Sequence, residues 1–600
     1  MENRLERPIS DGTTKKAVWI LLIAAAVYIL IYVTTAFSFF PFETWFDQMW
    51  VIKRAEEGTL NLEGLLTVYG EHGMLGENLL FLLNCRLFNL SNEAPAILTS
   101  AIPFLLLMIL SLAVLKRKET FRNIGGIILL AICWVILIPV NSYGTGMNIQ
   151  VRLSLVFFVL TAVQIDSIFK AEKVHPARIG LLFLSMFLSM NVFGTLYSTA
   201  GLPCIFLLML IGSIRNKEKR RLRIAIMAAY CVFTVLYFYE YGFIGREHPP
   251  MELGGSEGAL NNLLSQVSDV KNLAKSFLAW CVCGFINQYA LNEGAISEGV
   301  IYWLGGILLV FYIYAVVVYI KNKQYKSFCL PAFLMGYGLI VWIELLGGRP
   351  SGWVWYLGDW YAIHAKMLPL GALLVFGYDY ATRVRGDRPN RLPVLRIICF
   401  TAVMVIACGI GAGHLWKRAP YAKKWYESQY KYLFVEDERD MPVDENDRTP
   451  LCNGMYVTMN GIRTMRDHNL NVYSVSNAYK EINKESYYGS SLEGCHILEG
   501  SYGDGWLADK ASLQIRTKEE GNIHIDLANL FDAYTGAEGI VTVNGHSYPI
   551  QIGAGDFSVE MTAEPNSIVT VDFDFSSFAT TASEQDSRVL SVLLRNIYAE

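Results

Sequence analysis

The sequence predicts a polytopic α-helical membrane protein that ends in a soluble, mainly β domain, and three observations predict it. Apolar stretches of about twenty residues, the length that crosses a bilayer, alternate with short basic loops up to residue 412. Hydrophobic residues make up 53% of the chain and charged residues 17%, far from the balance of an ordinary soluble enzyme of 600 residues. Beyond residue 412 the chain turns polar and never returns to that pattern.

In order, spans are expected at 17–38, 96–115, 123–140, 151–168, 179–195, 196–214, 224–241, 299–320, 327–346, 361–380 and 392–412, about eleven transmembrane helices. No small-residue cleavage site follows the first, so it is expected to be retained as a helix. Lysine and arginine gather before span one, after spans two and four, and at 215–223, 321–326 and 383–391. Positive short loops stay in the cytoplasm, so the N-terminus is expected inside and the C-terminal domain outside. The apolar stretch 272–292 holds Asn287 and Gln288 and is read as a re-entrant or surface segment, sheltered by protein.

Three domains follow: a transmembrane domain over 1–413 with an external loop at 39–95, a helical and charged connector over 414–450, and an extracytoplasmic β-rich domain over 451–600. In the last, GMYVTMN, NVYSVSN, SLQIRT, NIHIDLANL, GIVTVNG, HSYPIQI, DFSVEMT and SIVTVDFDF read as short antiparallel strands of a sandwich-like fold. Its only cysteines, Cys452 and Cys495, are candidates for a disulfide at an oxidising surface. Trp506, Tyr534 and Tyr548 are either rings for a polysaccharide or core residues, and Asp586 and Arg588 are read as structural. A net charge of −4 without a basic stripe in the outside domain argues against nucleic acid, and no P-loop or Rossmann glycine run is present.

Polar residues cluster at three places beside the spans. In the external loop, Asp47 stands among Trp45, Phe46, Met49 and Trp50, as a general base, a ligand for a divalent cation, or an interfacial helix cap. Glu71, His72 and Glu77 precede an apolar helix, as substrate-orienting groups or as the polar side of a surface helix. Late in the chain Glu344 and GGRPSGWVWYLGDWYAIHAKMLP offer Arg349 among glycines as an anion clamp, with Tyr361, His364 and Lys366 at the mouth of the next span. These are binding residues, or belt aromatics with a lysine reaching for lipid headgroups. Arg152 at the head of the fourth span and Glu240 at the end of the seventh are smaller candidates, because a charge near the membrane is costly unless paired.

As an ordered set, WFD at 45–47, YGEHGML at 69–75, CRLFNL at 85–90, GGR at 347–349 and DWY at 359–361 resemble the bacterial multi-span GT-C glycosyltransferase superfamily over residues 17–412. Gly73 stands where that pattern has an arginine after the Glu-His pair, and Trp360 replaces another. The resemblance implies a GT-C-like fold in the bacterial cytoplasmic membrane and glycosyl transfer for cell-wall or surface polysaccharide synthesis. Its donor is a polyprenyl-phosphate sugar, and its acceptor a surface polysaccharide, teichoic acid or glycolipid reached from outside among membrane lipids. It implies Asp47 as the catalytic base, Arg349 on the lipid phosphate, Glu71 and His72 orienting the sugars, and Tyr361 in the donor pocket. No cofactor is required, although some branches use a divalent cation, for which Asp47 is the candidate ligand. A flippase for lipid-linked glycans and a non-catalytic assembly protein are the alternatives.

Overall fold

In this computed structural model the described residues are 11–36, 44–69, 72–91, 93–115, 124–137, 147–215, 219–241, 256–286, 288–348, 352–358, 361–383, 391–429, 432–433, 441–443, 448–452, 454–473, 495–502, 505–581 and 588–599. The chain divides into two compact units, one of Met1–Phe37, Glu57–Asn84 and Glu93–Ala419, the other of Ser38–Glu56, Cys85–Asn92 and Pro420–Glu600.

The first unit is helical. Among the described residues seven helices are long and apolar enough to cross a membrane: Lys15–Ala36, Ala94–Val114, Ile149–Lys170, Arg220–Tyr239, Glu298–Lys321, Leu330–Gly347 and Pro393–Tyr421. The remaining four expected spans fall on other helices. One is Ile124–Leu137. Pro176–Phe187 passes into a π turn at Leu188–Val192. Leu196–Arg215 carries Pro203 and Met367–Arg383 starts beyond a separate turn at Ala362–Ala365. Apolar side chains fill a continuous core, yet Ile23, Val235, Trp303 and Val310 are also exposed on faces turned away from it. Helices apolar all round suit lipid rather than water, so the unit is membrane-associated.

The helices that matter below are α1 (Met147–Lys170), α2 (Pro176–Phe187, with its π turn), α3 (Arg220–Tyr239), α4 (Val270–Cys283), α5 (Glu298–Lys321), α6 (Leu330–Gly348) and α7 (Met367–Arg383). The 272–292 stretch is a broken helix. After α4 it turns at Gly284 and resumes at Gln288–Asn292, and Ala279 to Ile286 are buried in protein. Fourteen residues rise about 21 Å, short of the roughly 30 Å of a hydrocarbon core.

Among its described residues the second unit holds two antiparallel sheets around one core, besides a two-stranded ribbon of Thr580–Thr581 and Val589–Leu590. Eight strands run in chain order: β1 Cys495–Ser501, β2 Leu507–Arg516, β3 Asn522–Asn529, β4 Glu538–Val543, β5 His546–Gln551, β6 Gly555–Thr562, β7 Ile568–Asp574 and β8 Leu593–Ala599. One sheet has the order β8-β3-β6, the other β1-β2-β7-β4-β5. Ile523, Ile525 and Leu527 of one sheet and Val569, Val571 and Phe573 of the other point inward at alternate positions, the period a half-buried strand requires. Asn544 and Gly545, both at positive φ, close the β4–β5 hairpin with the twist its strands need.

One expectation is overturned. GMYVTMN is not a strand: Met455–Asp467 is a helix, with Thr458, Met459, Ile462 and Met465 buried. The apolar positions repeat at three and four residues, and the local alternation in MYVTM conceals that longer period. This helix packs on Thr44–Glu56, with Gly461 against the Phe46 ring. Tyr534 is a core residue, 6% exposed, whose hydroxyl bonds Thr580 and the Leu590 carbonyl, so it is no glycan platform. Trp506 packs on Phe531, while Tyr548 stays partly exposed. Cys452 is a buried thiol, and the Cys495 side chain lies outside the described residues, as does Asp586; Arg588 covers the Tyr502 ring.

Candidate functional site

Buried polar side chains lie at both sets of helix ends in the first unit; Asp166, Gln324 and the Asp379–Arg396 ion pair hold one set, and most residues singled out from the sequence fall at the other. The starts of α1 and α7 and the ends of α2, α3 and α4 carry them, whereas the basic runs at 170–178, 215–223, 321–326 and 383–391 follow or precede the opposite ends of these and neighbouring helices.

Gln150, fully buried near the start of α1, is the hub of this polar layer. Its backbone N–H donates to Glu77 Oε2 at 3.0 Å and its Oε1 accepts from the Glu77 N–H at 3.1 Å. Its Nε2 donates to the Gly194 carbonyl at 3.0 Å and to that of Gly73. Asn78 donates to Thr67 Oγ1 and the Leu65 carbonyl, and the Met74 N–H to the Thr67 carbonyl. These bonds hold the ends of a small hairpin, Val68–Tyr69 paired with His72–Gly73. A Cβ at Gly73 would stand 2.1 Å from the Tyr241 ring, so the aromatic ring takes the space that a side chain at 73 would need.

Arg152 is 2% exposed and Lys366 1% exposed. The Arg152 guanidinium lies within electrostatic reach of the Lys366 ammonium. Lys366 sits over the break after α4, its Cγ only 2.8 Å from where a Gly284 Cβ would be. His364 is wholly buried, and its Nδ1 is 2.8 Å from the Tyr337 hydroxyl, itself packed on Phe158 of α1. Tyr361 is buried at the head of the same turn. Together Arg152 and Lys366 bring two basic groups into the interior of this unit, a positive potential that suits an anionic ligand.

The same unit holds an apolar cavity of about 1070 Å³, lined by Phe277, Tyr312, Tyr325, Met335, Leu368 and Val375 among others. It runs along α5, α6 and α7, and Leu368 in its wall comes two residues after Lys366.

Of the residues singled out from sequence, Arg152, His364 and Lys366 are thus gathered in the interior of one unit, with Tyr361 buried beside them in the chain. Asp47 lies on the helix Thr44–Glu56 of the other unit, and its side chain is outside the described residues, as is that of His72. Glu71 and Arg349 lie wholly outside them. Among the described residues no three carboxylate, imidazole or thiol groups gather at metal-binding distance. Sequence reasoning missed Gln150, Asn191 and Tyr337. The signal for Gln150 was its place two residues before Arg152 in a polar run opening an apolar helix, but Asn191 and Tyr337 stand in apolar spans without a motif. Comparison with protein-family models, curated proteins and solved structures finds no match to this chain.

Proposed function

We propose that the protein is a glycosyltransferase that moves a sugar from a polyprenyl-phosphate donor to a surface glycan or glycolipid acceptor at the outer face of the cytoplasmic membrane. The observation that carries this reading is the buried Arg152 and Lys366 pair in the unit whose apolar cavity has Leu368, two residues after Lys366, in its wall. A phosphate on a long hydrocarbon chain matches both halves, the anion by charge and the chain by burial. Eleven crossings with the basic loops inside would turn this polar layer outward, where nucleotide sugars are absent and a lipid carries the activated sugar.

In the reaction an acceptor hydroxyl oxygen bonds to the anomeric carbon as the bond from that carbon to the phosphate oxygen breaks. Polyprenyl phosphate leaves with the electron pair, and the hydroxyl proton passes to a base, for which the GT-C resemblance supplies Asp47. Arg152 and Lys366, with Arg349 as the resemblance has it, neutralise the charge growing on the phosphate, a stabilisation larger in the transition state than in the bound donor. His364 is set by Tyr337 to orient the donor beside Tyr361, and Glu71 and His72 contact sugar.

The test is incorporation of labelled hexose from polyprenyl-phosphate hexoses into extracted surface glycans by the purified full-length protein. Incorporation lost in Asp47→Asn and Arg349→Ala supports the reading. No incorporation from any donor, with donor movement across vesicles that tolerates Asp47→Asn, would replace it with a flippase.

A further inference from the structure

Asn191 is a buried amide whose hydrogen bonds leave one atom over. Its Nδ2 donates to the Phe233 carbonyl at 3.2 Å and to Glu240 Oε2 at 3.1 Å, and both partners are acceptors. The terminal atom facing them is therefore the NH₂ group, and a flipped amide would set oxygen against carboxylate. That fixes Oδ1 on the other side, in a residue 1% exposed, where Oδ1 has no hydrogen-bond partner among the described residues. A buried acceptor left without a donor costs about 1–3 kcal/mol, a penalty that a ligand donor removes.

The surroundings point the same way. Asn191 belongs to the π turn Leu188–Val192, and the backbone at Glu240 and Tyr241 also leaves α-helical geometry for a π turn. Such irregularities are frequent at functional sites. The Tyr241 hydroxyl donates to the Asn191 carbonyl at 2.6 Å, and the Tyr241 ring covers Gly73 in the second strand of the small hairpin. The pair thus sits in the polar layer that includes Gln150, and it offers only acceptors.

Resting on the sugar-transfer reading above, we propose that Asn191 and Glu240 form a subsite that receives sugar hydroxyls, with Asn191 Oδ1 and the Glu240 carboxylate accepting from neighbouring O–H groups. A phosphate would be repelled there, so this subsite is for the sugar and not for the lipid phosphate. A site that hydrogen-bonds a particular hydroxyl discriminates strongly against sugars that lack or invert it. The pair is accordingly a determinant of which hexose is used.

The experiment measures transfer kinetics of the full-length protein with polyprenyl-phosphate glucose, galactose and mannose, for wild type, Glu240→Gln and Asn191→Ala. Glu240→Gln keeps an acceptor for the Asn191 amide and nearly the same shape, so it guards against a variant that fails to fold. The expected result is a KM for the preferred donor raised about tenfold or more in each variant, a smaller change in kcat, and a flattened preference among the three hexoses. Unchanged KM and unchanged preference in a folded Glu240→Gln protein would overturn the subsite while leaving the transferase reading in place. No transfer by wild type from any donor would remove both.

Discussion

Replacing Gln150 by leucine should loosen the first unit more than any other single polar change near the site. The side chain is fully buried, and its amide serves the Glu77 N–H, the Gly73 carbonyl and the Gly194 carbonyl. Leucine fills much of the volume and serves none of them. At the low end of about 1 kcal/mol for each buried group stranded, three groups cost roughly 3 kcal/mol, a factor of more than a hundred in the folding equilibrium. The same change frees the hairpin 68–73, so it should cost activity even below the melting temperature. With the exposed Cys231 and Cys399 replaced by serine, unfolding in detergent can be followed with a thiol-reactive dye, because Cys133, Cys281 and Cys283 are buried in this unit and become reactive as it opens. Gln150→Leu is expected to react at a clearly lower temperature than wild type, and so is Gln150→Glu, since a buried carboxylate would face the Gly73 and Gly194 carbonyls beside the Glu77 carboxylate. A Gln150→Leu protein with the wild-type melting curve would refute the claim that this amide holds the layer together.

Other consequences are local. Gly73→Arg should destabilise the protein and Gly73→Arg with Tyr241→Ala should recover part of the loss in the same dye assay, because the ring occupies the position of the added side chain. Gly461→Val should cost about 1–3 kcal/mol by overpacking, since a Cβ there would stand 2.4 Å from the Phe46 ring, and limited proteolysis should then cut the 44–56 helix earlier. Hydrogen bonds from the Ser576 hydroxyl and backbone N–H, helped by Lys510, hold the Asp574 carboxyl below its ordinary value. The resulting stability is present above the unfolded carboxyl's pKa of about 3.9 and is lost as the pH falls through the lower folded value. Asp574→Asn should therefore melt slightly earlier than wild type at pH 7 and converge with it in strong acid, as read by fluorescence of the β domain.

The sequence makes the helical part and most of the strands legible, because each rests on a period that local composition carries. Span length marks Glu298–Lys321 to within one residue at each end and Leu330–Gly348 to within three, and alternation marks Asn522–Asn529 and Ile568–Asp574. What escapes is what depends on partners distant in the chain. The helix Met455–Asp467 gains its burial against Thr44–Glu56, some four hundred residues earlier, and no local pattern announces that contact. The site is legible in the same uneven way. Arg152 and Lys366 stand out as charges at span ends, but their nearness depends on how α1 and α7 pack. Asn191 reads as one polar residue in an apolar helix, and only the acceptors around its amide reveal that Oδ1 is left over.

The most direct test of the account is equilibrium binding of polyprenyl phosphate and of the uncharged polyprenol to the purified full-length protein, wild type beside Lys366→Met and Arg152→Gln. Both lipids should enter the apolar cavity, and the phosphate should add about tenfold to a hundredfold in affinity, the worth of charge-assisted hydrogen bonds. That increment should shrink in each variant while polyprenol binding holds. Equal affinity of wild type for the two lipids, or an increment untouched by both substitutions, would contradict the claim that these buried cations receive a lipid-borne phosphate.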